Sequence, residues 1–249
     1  MPAVLGEAVA TAAVGLGLLG GGLWYASAWP ASQIFGRALV AGDDPSEIAL
    51  TFDDGPNDAA TPQLLEVLAR YNVRATFFAL GTFARQRREL ARQVVAEGHL
   101  LGNHTMSHPR LSLQPAPRVL RELADCNAVL EDITGTAVRY FRPPFGARRP
   151  LVLRAAREMG LTPVLWNVTA YDWELIGPYR VLANVESGIA RNRTGMRGSN
   201  VLLHDGGHRA MGSPRMDTVV AVDQLIGKQQ RTAGTRFVTV DAWADPLIL

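Results

Sequence analysis

The sequence predicts an α/β fold in which a parallel sheet closes into a β/α barrel, and three observations predict it. From Glu47 onward short apolar runs alternate with longer amphipathic segments, about seven strands with six helices, as repeated βα units with helical crossovers require. The chain has 249 residues, 47% of them hydrophobic, enough for one sizeable core. The side chains able to do chemistry gather just after the apolar runs. A barrel brings all its strand C-termini to one mouth, whereas an open sheet gathers ligands only at its switch point.

The elements follow in order. Ile48-Ala49-Leu50-Thr51-Phe52 is the first strand. A helix opens at Thr61-Pro62, Thr as N-cap and Pro at the first helical position, with Leu64, Leu65, Leu68 and Tyr71 on its apolar stripe. Residues 75–80 form a strand, 85–97 a helix stopped by Gly98, and 99–102 a short strand. A helix over 117–133 ends near Gly135, and Val138-Arg139-Tyr140-Phe141 is a strand. Pro150 opens a helix that Gly160 ends. Residues 161–168 make a strand, 179–191 a helix, 200–203 a strand, 215–231 a helix and 236–240 the last strand.

Ahead of this region, no charged residue occurs from Ala8 to Gly36. Ala8–Trp29 has the length of about 20 residues needed to span a bilayer, and Trp24, Tyr25 and Trp29 cluster at its far end as in an aromatic belt. Ala26-Ser27-Ala28 resembles a small-x-small cleavage site, but the first seven residues carry no Lys or Arg. The preferred reading is an uncleaved anchor, with a cleaved signal as the alternative. The chain thus divides into 1–29, a transmembrane anchor or signal segment; 30–46, a linker of turn formers; and 47–249, the globular domain.

A net charge of +2 with a sequence pI near 9.0 lacks the concentrated basic surface of nucleic-acid binders. The single cysteine, Cys126, excludes an intramolecular disulfide. It falls among Leu120, Leu123, Val129 and Leu130 and reads as a buried thiol.

Asp53 and Asp54 follow the first strand, His104 and His108 the third, Arg142 the fourth, Asp172 and Trp173 the fifth, His204 and Asp205 the sixth. His104-x-x-x-His108 is by itself a weak signal, more often two surface histidines than a metal site. With an Asp at another strand end it makes two imidazoles and one carboxylate, which leaves a coordination position open to water. Successive side chains on an extended chain point to opposite faces, so Asp53 and Asp54 share a task only if the chain bends between them. Arg142, followed by two prolines, can pair with a carboxylate, in bidentate fashion at best. Asp172 beside His204 would favour the protonated imidazole.

Thr51-Phe52-Asp53-Asp54-Gly55-Pro56, His104-Thr105-Met106-Ser107-His108, Arg142-Pro143-Pro144-Phe145-Gly146, Asp172-Trp173 and Leu202-Leu203-His204 occur in that order. Together they resemble the five motifs of the NodB-homology polysaccharide deacetylases, carbohydrate esterase family 4, over roughly residues 47–240. The resemblance implies a distorted (β/α)7 barrel, here preceded by the N-terminal hydrophobic helix, and a divalent metal, usually Zn2+. It implies Asp54, His104 and His108 as ligands and Asp53 as general base oriented by Arg142. His204 would be the general acid tuned by Asp172, and Trp173 and Leu202 would form the pocket for the acetyl methyl. The Phe145 amide would hold the oxyanion; a Tyr is common at this position in the family, so a side-chain hydroxyl contact is lost. Asn103 and Ser107 read as structural hydrogen-bonders, and His208, near the mouth, as no ligand.

The function expected is hydrolysis of N-acetyl groups from a peptidoglycan- or chitin-like glycan, outside the membrane. The alternatives are an O-deacetylase or deformylase on the same barrel, and an inactive membrane-tethered carbohydrate-binding protein. Oligomeric state and the native metal stay open.

Overall fold

In the computed structural model, which describes residues 21–22 and 25–244, the strands are β1 (Glu47–Gly55), β2 (Thr76–Ala79), β3 (Leu100–Asn103), β4 (Tyr140–Phe141), β5 (Thr162–Pro163), β6 (Val168–Thr169), β7 (Ser199–His204) and β8 (Arg236–Val238). The helices are α1 (Ala60–Arg70), α2 (Gly81–Gln86), α3 (Arg88–Ala96), α4 (Ala116–Thr134), α5 (Pro150–Glu158), α6 (Pro178–Thr194) and α7 (Met216–Gln229). All strand pairs are parallel, in the order β5-β4-β3-β2-β1-β7-β6, and β8 joins the start of β1 at Glu47–Ala49.

The expected distorted (β/α)7 barrel is met in its parallel α/β architecture, and the distortion leaves the sheet a half-barrel. The strand expected over 161–168 is two short pieces of one chain run. β5 pairs with β4 and β6 with β7, so the run passes from one edge of the sheet to the other. Two successive pieces of one run cannot form a parallel ladder with each other, so β5 and β6 are joined by the chain and not by hydrogen bonds.

Burial on both faces explains why the strands read as continuous apolar runs. Alternate residues of β1 face opposite ways. Ile48, Leu50 and Phe52 pack into the large core beneath the helices, and Ala49 faces inward with Phe78, Tyr140, Val164 and Val240. Phe78 fills that interior because residue 102 is glycine: a Cβ there would lie 2.7 Å from its ring. Above this apolar floor come the polar inward side chains of Thr51, Asn200 and Arg142, then the mouth.

Two helix details differ from expectation. The helix placed over 85–97 is α2 and α3, separated by Arg87 at φ −126°, ψ 52°. Thr61 lies inside α1, not at its N-cap, because its hydroxyl accepts from Asn57 N–H (2.8 Å) and donates to Asp205 Oδ2 (2.5 Å). Cys126 is buried, and burial pushes its thiol up to about 12.

Most of the hydrophobic segment read over Ala8–Trp29 lies outside the described residues. Among the described residues no helix is long and apolar enough to cross a membrane. Residues 25–28 are helical, and Ala26 and Ser32 are buried. The stretch 30–46 is packed on the domain: Leu39 N–H donates to Pro163 O and Leu39 O accepts from Leu165 N–H, both at 2.8 Å.

Candidate active site and metal centre

β1 delivers two carboxylates. Asp54 adopts a left-handed backbone (φ 71°), and the β1–β2 register shifts between Asp53 and Gly55. That is the bend the adjacent aspartates require, and Asp is one of the few residues that enters this region at modest cost. Gly55 follows because a Cβ there would overlap the Asp205 carboxylate, 2.0 Å away.

The loop after β3 delivers the histidines and is held internally rather than helical. Asn103 Oδ1 accepts from Thr105 N–H (2.7 Å), and Thr105 Oγ1 accepts from His108 N–H (3.0 Å). Glu122 of α4 accepts from both the backbone and the hydroxyl of Ser107. Thr105 and His108 both have positive φ, strain of the kind that persists where surroundings over-determine a functional loop.

These elements bring Asp54, His104 and His108 together with all three ligand atoms within 4.8 Å of one another. Asp54 Oδ1 lies 3.2 Å from His108 Nε2 and 3.5 Å from His104 Nε2. It is buried and has no hydrogen-bond partner among the described residues. His104 Nδ1 donates to the Arg142 carbonyl at 2.8 Å, the bond that fixes a ligating tautomer and leaves Nε2 its lone pair. A buried orphan carboxylate oxygen facing two imidazole nitrogens is costly unless something cationic fills the gap, and such a donor set suits a divalent transition ion. Burial favours neutral Asp54, but the His208 hydrogen bond and the neighbouring His104, His204 and His108 outweigh it and hold its pKa below the ordinary carboxylate range. Burial first, then His104, pushes His108 down to about 3, so His108 is neutral, the form that binds metal.

Asp53 sits beside this group, Oδ2 3.7 Å from His104 Nε2. Arg142 Nη1 donates to Asp53 Oδ1 at 2.8 Å and to Thr51 Oγ1 at 2.7 Å. Nη2 donates to Leu165 O and Asn200 Oδ1, and the guanidinium lies over the Phe78 ring at 4.3 Å. The pairing is thus single rather than bidentate, because the second nitrogen is taken by backbone and amide oxygens of the polar layer.

On the other side, Asp172 Oδ1 accepts from His204 Nδ1 (2.9 Å), and Oδ2 accepts from His204 N–H (2.7 Å) and Thr218 Oγ1 (2.8 Å). Burial opposes charge on His204, but Asp172, then Asp54 and Asp53, raise it to about 9. The imidazole is protonated at neutral pH, and with Nδ1 committed, Nε2 is its available donor.

The groups border a cleft of about 570 Å³ with Phe145, Trp166, Trp173 and Leu202 on its apolar walls. Phe145 adopts φ 59° in a 3₁₀ turn, Pro144–Gly146. Every side chain picked from the motifs therefore reaches one locality. Sequence reasoning missed Thr51 and Asn200, which hold Arg142; the signal was a polar residue at an inward position of an apolar strand. It also missed Trp166, and it gave no role to His208, which touches Asp54, or to Asp205, which burial pushes up to about 7.

Residues 41–164 match the polysaccharide deacetylase family model. A chitooligosaccharide deacetylase of Azorhizobium caulinodans is 37% identical over 175 residues, 70% of this chain and 80% of the relative. The crystal structure of the Bc1960 peptidoglycan N-acetylglucosamine deacetylase superposes with a TM-score of 0.74 at 32% identity, over 83% of this chain and 91% of the other. A family 4 acetyl xylan esterase from Clostridium thermocellum, solved with a cobalt ion, gives 0.69 at 31% identity, over 79% and 89%.

Proposed function

This chain belongs to the polysaccharide deacetylase family, and from that premise we propose that it hydrolyses N-acetyl groups of an amino-sugar glycan, peptidoglycan- or chitin-like, releasing acetate. The observation that carries the reading is the buried Asp54–His104–His108 cluster with a carboxylate on one flank and a protonated imidazole on the other. Asp54, His104 and His108 would hold a divalent ion, zinc being the first choice for two imidazoles and one carboxylate. When bound, the ion supplies Lewis acidity toward the acetamide carbonyl and makes water acidic enough to attack near neutral pH.

The chain's own groups divide the proton work. Asp53, directed by Arg142 Nη1, takes the proton of the attacking water. His204 Nε2 gives a proton to the departing amine, because an amide nitrogen leaves poorly as an anion. The Asp172 carboxylate holds the imidazole in the donating orientation. The Phe145 amide stabilises the oxyanion, a contribution of about 3 kcal/mol for a well-placed donor. Trp173 and Leu202 receive the acetyl methyl.

The N-terminal segment, 1–29, would anchor the domain or export it, placing 47–249 on the side of the membrane where cell-wall glycans lie. Its support is the uncharged stretch from Ala8 to Gly36 and the aromatic cluster at its end.

The test is acetate release from N-acetylglucosamine oligomers by zinc-loaded protein, with formate and O-acetyl xylan assays alongside. Asp53→Asn should lower turnover by about 10²–10⁴-fold, the usual contribution of a general base, while metal content stays unchanged. Full turnover in that variant rules out Asp53 as base, and O-acetyl substrates hydrolysed in preference to N-acetyl would replace the amidase reading with an esterase one.

A further inference from the structure

The two histidines of the metal cluster are held in different ways. His104 has its outer nitrogen fixed by the Arg142 carbonyl. His108 Nδ1 is buried and has no hydrogen-bond partner among the described residues. A ligating imidazole is normally oriented by a hydrogen bond at its far nitrogen, so His108 needs another device.

His208 supplies one. Its ring stacks on His108 with centroids 4.3 Å apart and planes 15° apart. Phe145 closes on both rings edge-on, at 4.6 Å from His108 and 5.5 Å from His208. The His208 backbone N–H donates to Asp54 Oδ2 at 3.2 Å, and Nδ1 lies 3.6 Å from the same oxygen. Oδ2 is thereby engaged from the side of the β7 loop, which leaves Oδ1 turned toward His104 and His108. His208 itself falls outside the set whose ligand atoms lie within 4.8 Å of one another, so it stands behind the ligands and not among them.

We infer that His208 is a positioning residue for the metal ligands: its ring clamps the otherwise unheld His108, and its contact with Asp54 Oδ2 keeps that carboxylate turned to offer Oδ1. The inference rests on the reading of Asp54, His104 and His108 as a metal site. Its consequence is tighter and longer metal retention, independent of which glycan is the substrate.

The experiment is zinc affinity and zinc release rate, measured by competition with a chromophoric chelator on the full, metal-stripped protein. His208→Ala should weaken zinc binding by about 10–100-fold, the usual effect of removing a group that orients a ligand, and speed release. His208→Phe keeps a stacking ring without the nitrogen and should recover part of the loss. The backbone N–H bond to Asp54 Oδ2 survives each substitution, so His208→Asn, polar but without a stacking ring, should bind zinc about as weakly as His208→Ala. The side chain is one-third exposed, and a thermal melt of each stripped variant matching the parent separates lost metal from lost fold. Zinc affinity in His208→Ala equal to the parent's, with Asp54→Ala losing zinc, overturns the inference alone. A parent protein that takes no zinc overturns the metal reading with it.

Discussion

Arg142 and Arg148 stand six positions apart, both fully buried, and their surroundings differ. Arg142 points into the mouth and meets a carboxylate, Asp53, along with Thr51, Asn200 and one carbonyl. Among the described residues Arg148 meets only backbone carbonyls: Gly146 (2.9 Å), Ser27 (3.3 Å), Trp29 (2.7 Å) and Ser32 (2.8 Å). Burial lowers both, Arg148 to about 10, and in Arg142 the Asp53 carboxylate works against the burial; a guanidinium keeps its charge inside proteins. One cation therefore directs a carboxylate, and the other fastens the segment at residues 27–32 to the turn after β4. Burial of a charge marks neither catalysis nor scaffolding; the chemical kind of its partners does.

The sharpest test of this contrast is Arg142→Met. It should cost turnover about 10²–10⁴-fold through loss of the directed base. It should also cost stability, about 3–5 kcal/mol, by leaving the Asp53 carboxylate buried without its partner. Denaturant titration and acetate release on the same preparation read both. Arg148→Met should lower stability by about 1–3 kcal/mol, since carbonyls left unsatisfied are less costly than a carboxylate. Turnover per folded molecule should be unchanged; a folded variant without turnover would erase the distinction between the two arginines.

A third test concerns the imidazole opposite Asp53. In chelator-treated protein followed by NMR, His204 should titrate near 9, and Asp172→Asn should lower that value, because burial then acts against the charge with only Asp54 and Asp53 opposing it. The sign for stability follows from the raised value. The protonated pair stabilises the fold fully below pH 6.5, and that contribution is lost as pH rises through about 9. The smallest effect belongs to Cys126, whose buried thiol should resist alkylation in native protein and react only after unfolding.

The α/β alternation was legible in the sequence, because each helix and strand carries its own period of apolar residues, and residue type just after strands marked the ligand set. The closure of the sheet was not, since a single strand-like run from 161 to 168 does not reveal that its two ends pair with different neighbours. The bend at Asp54, a shift of one residue in register, was equally invisible. It took the folded chain to show that Arg142 grips Asp53 through one nitrogen, that Arg148 fastens residues 27–32, and that His208 lies against Asp54 from 154 positions away. Local periodicity is written in neighbouring residues. Contacts between such distant ones depend on how the sheet curls, which is set by the packing of all its strands together.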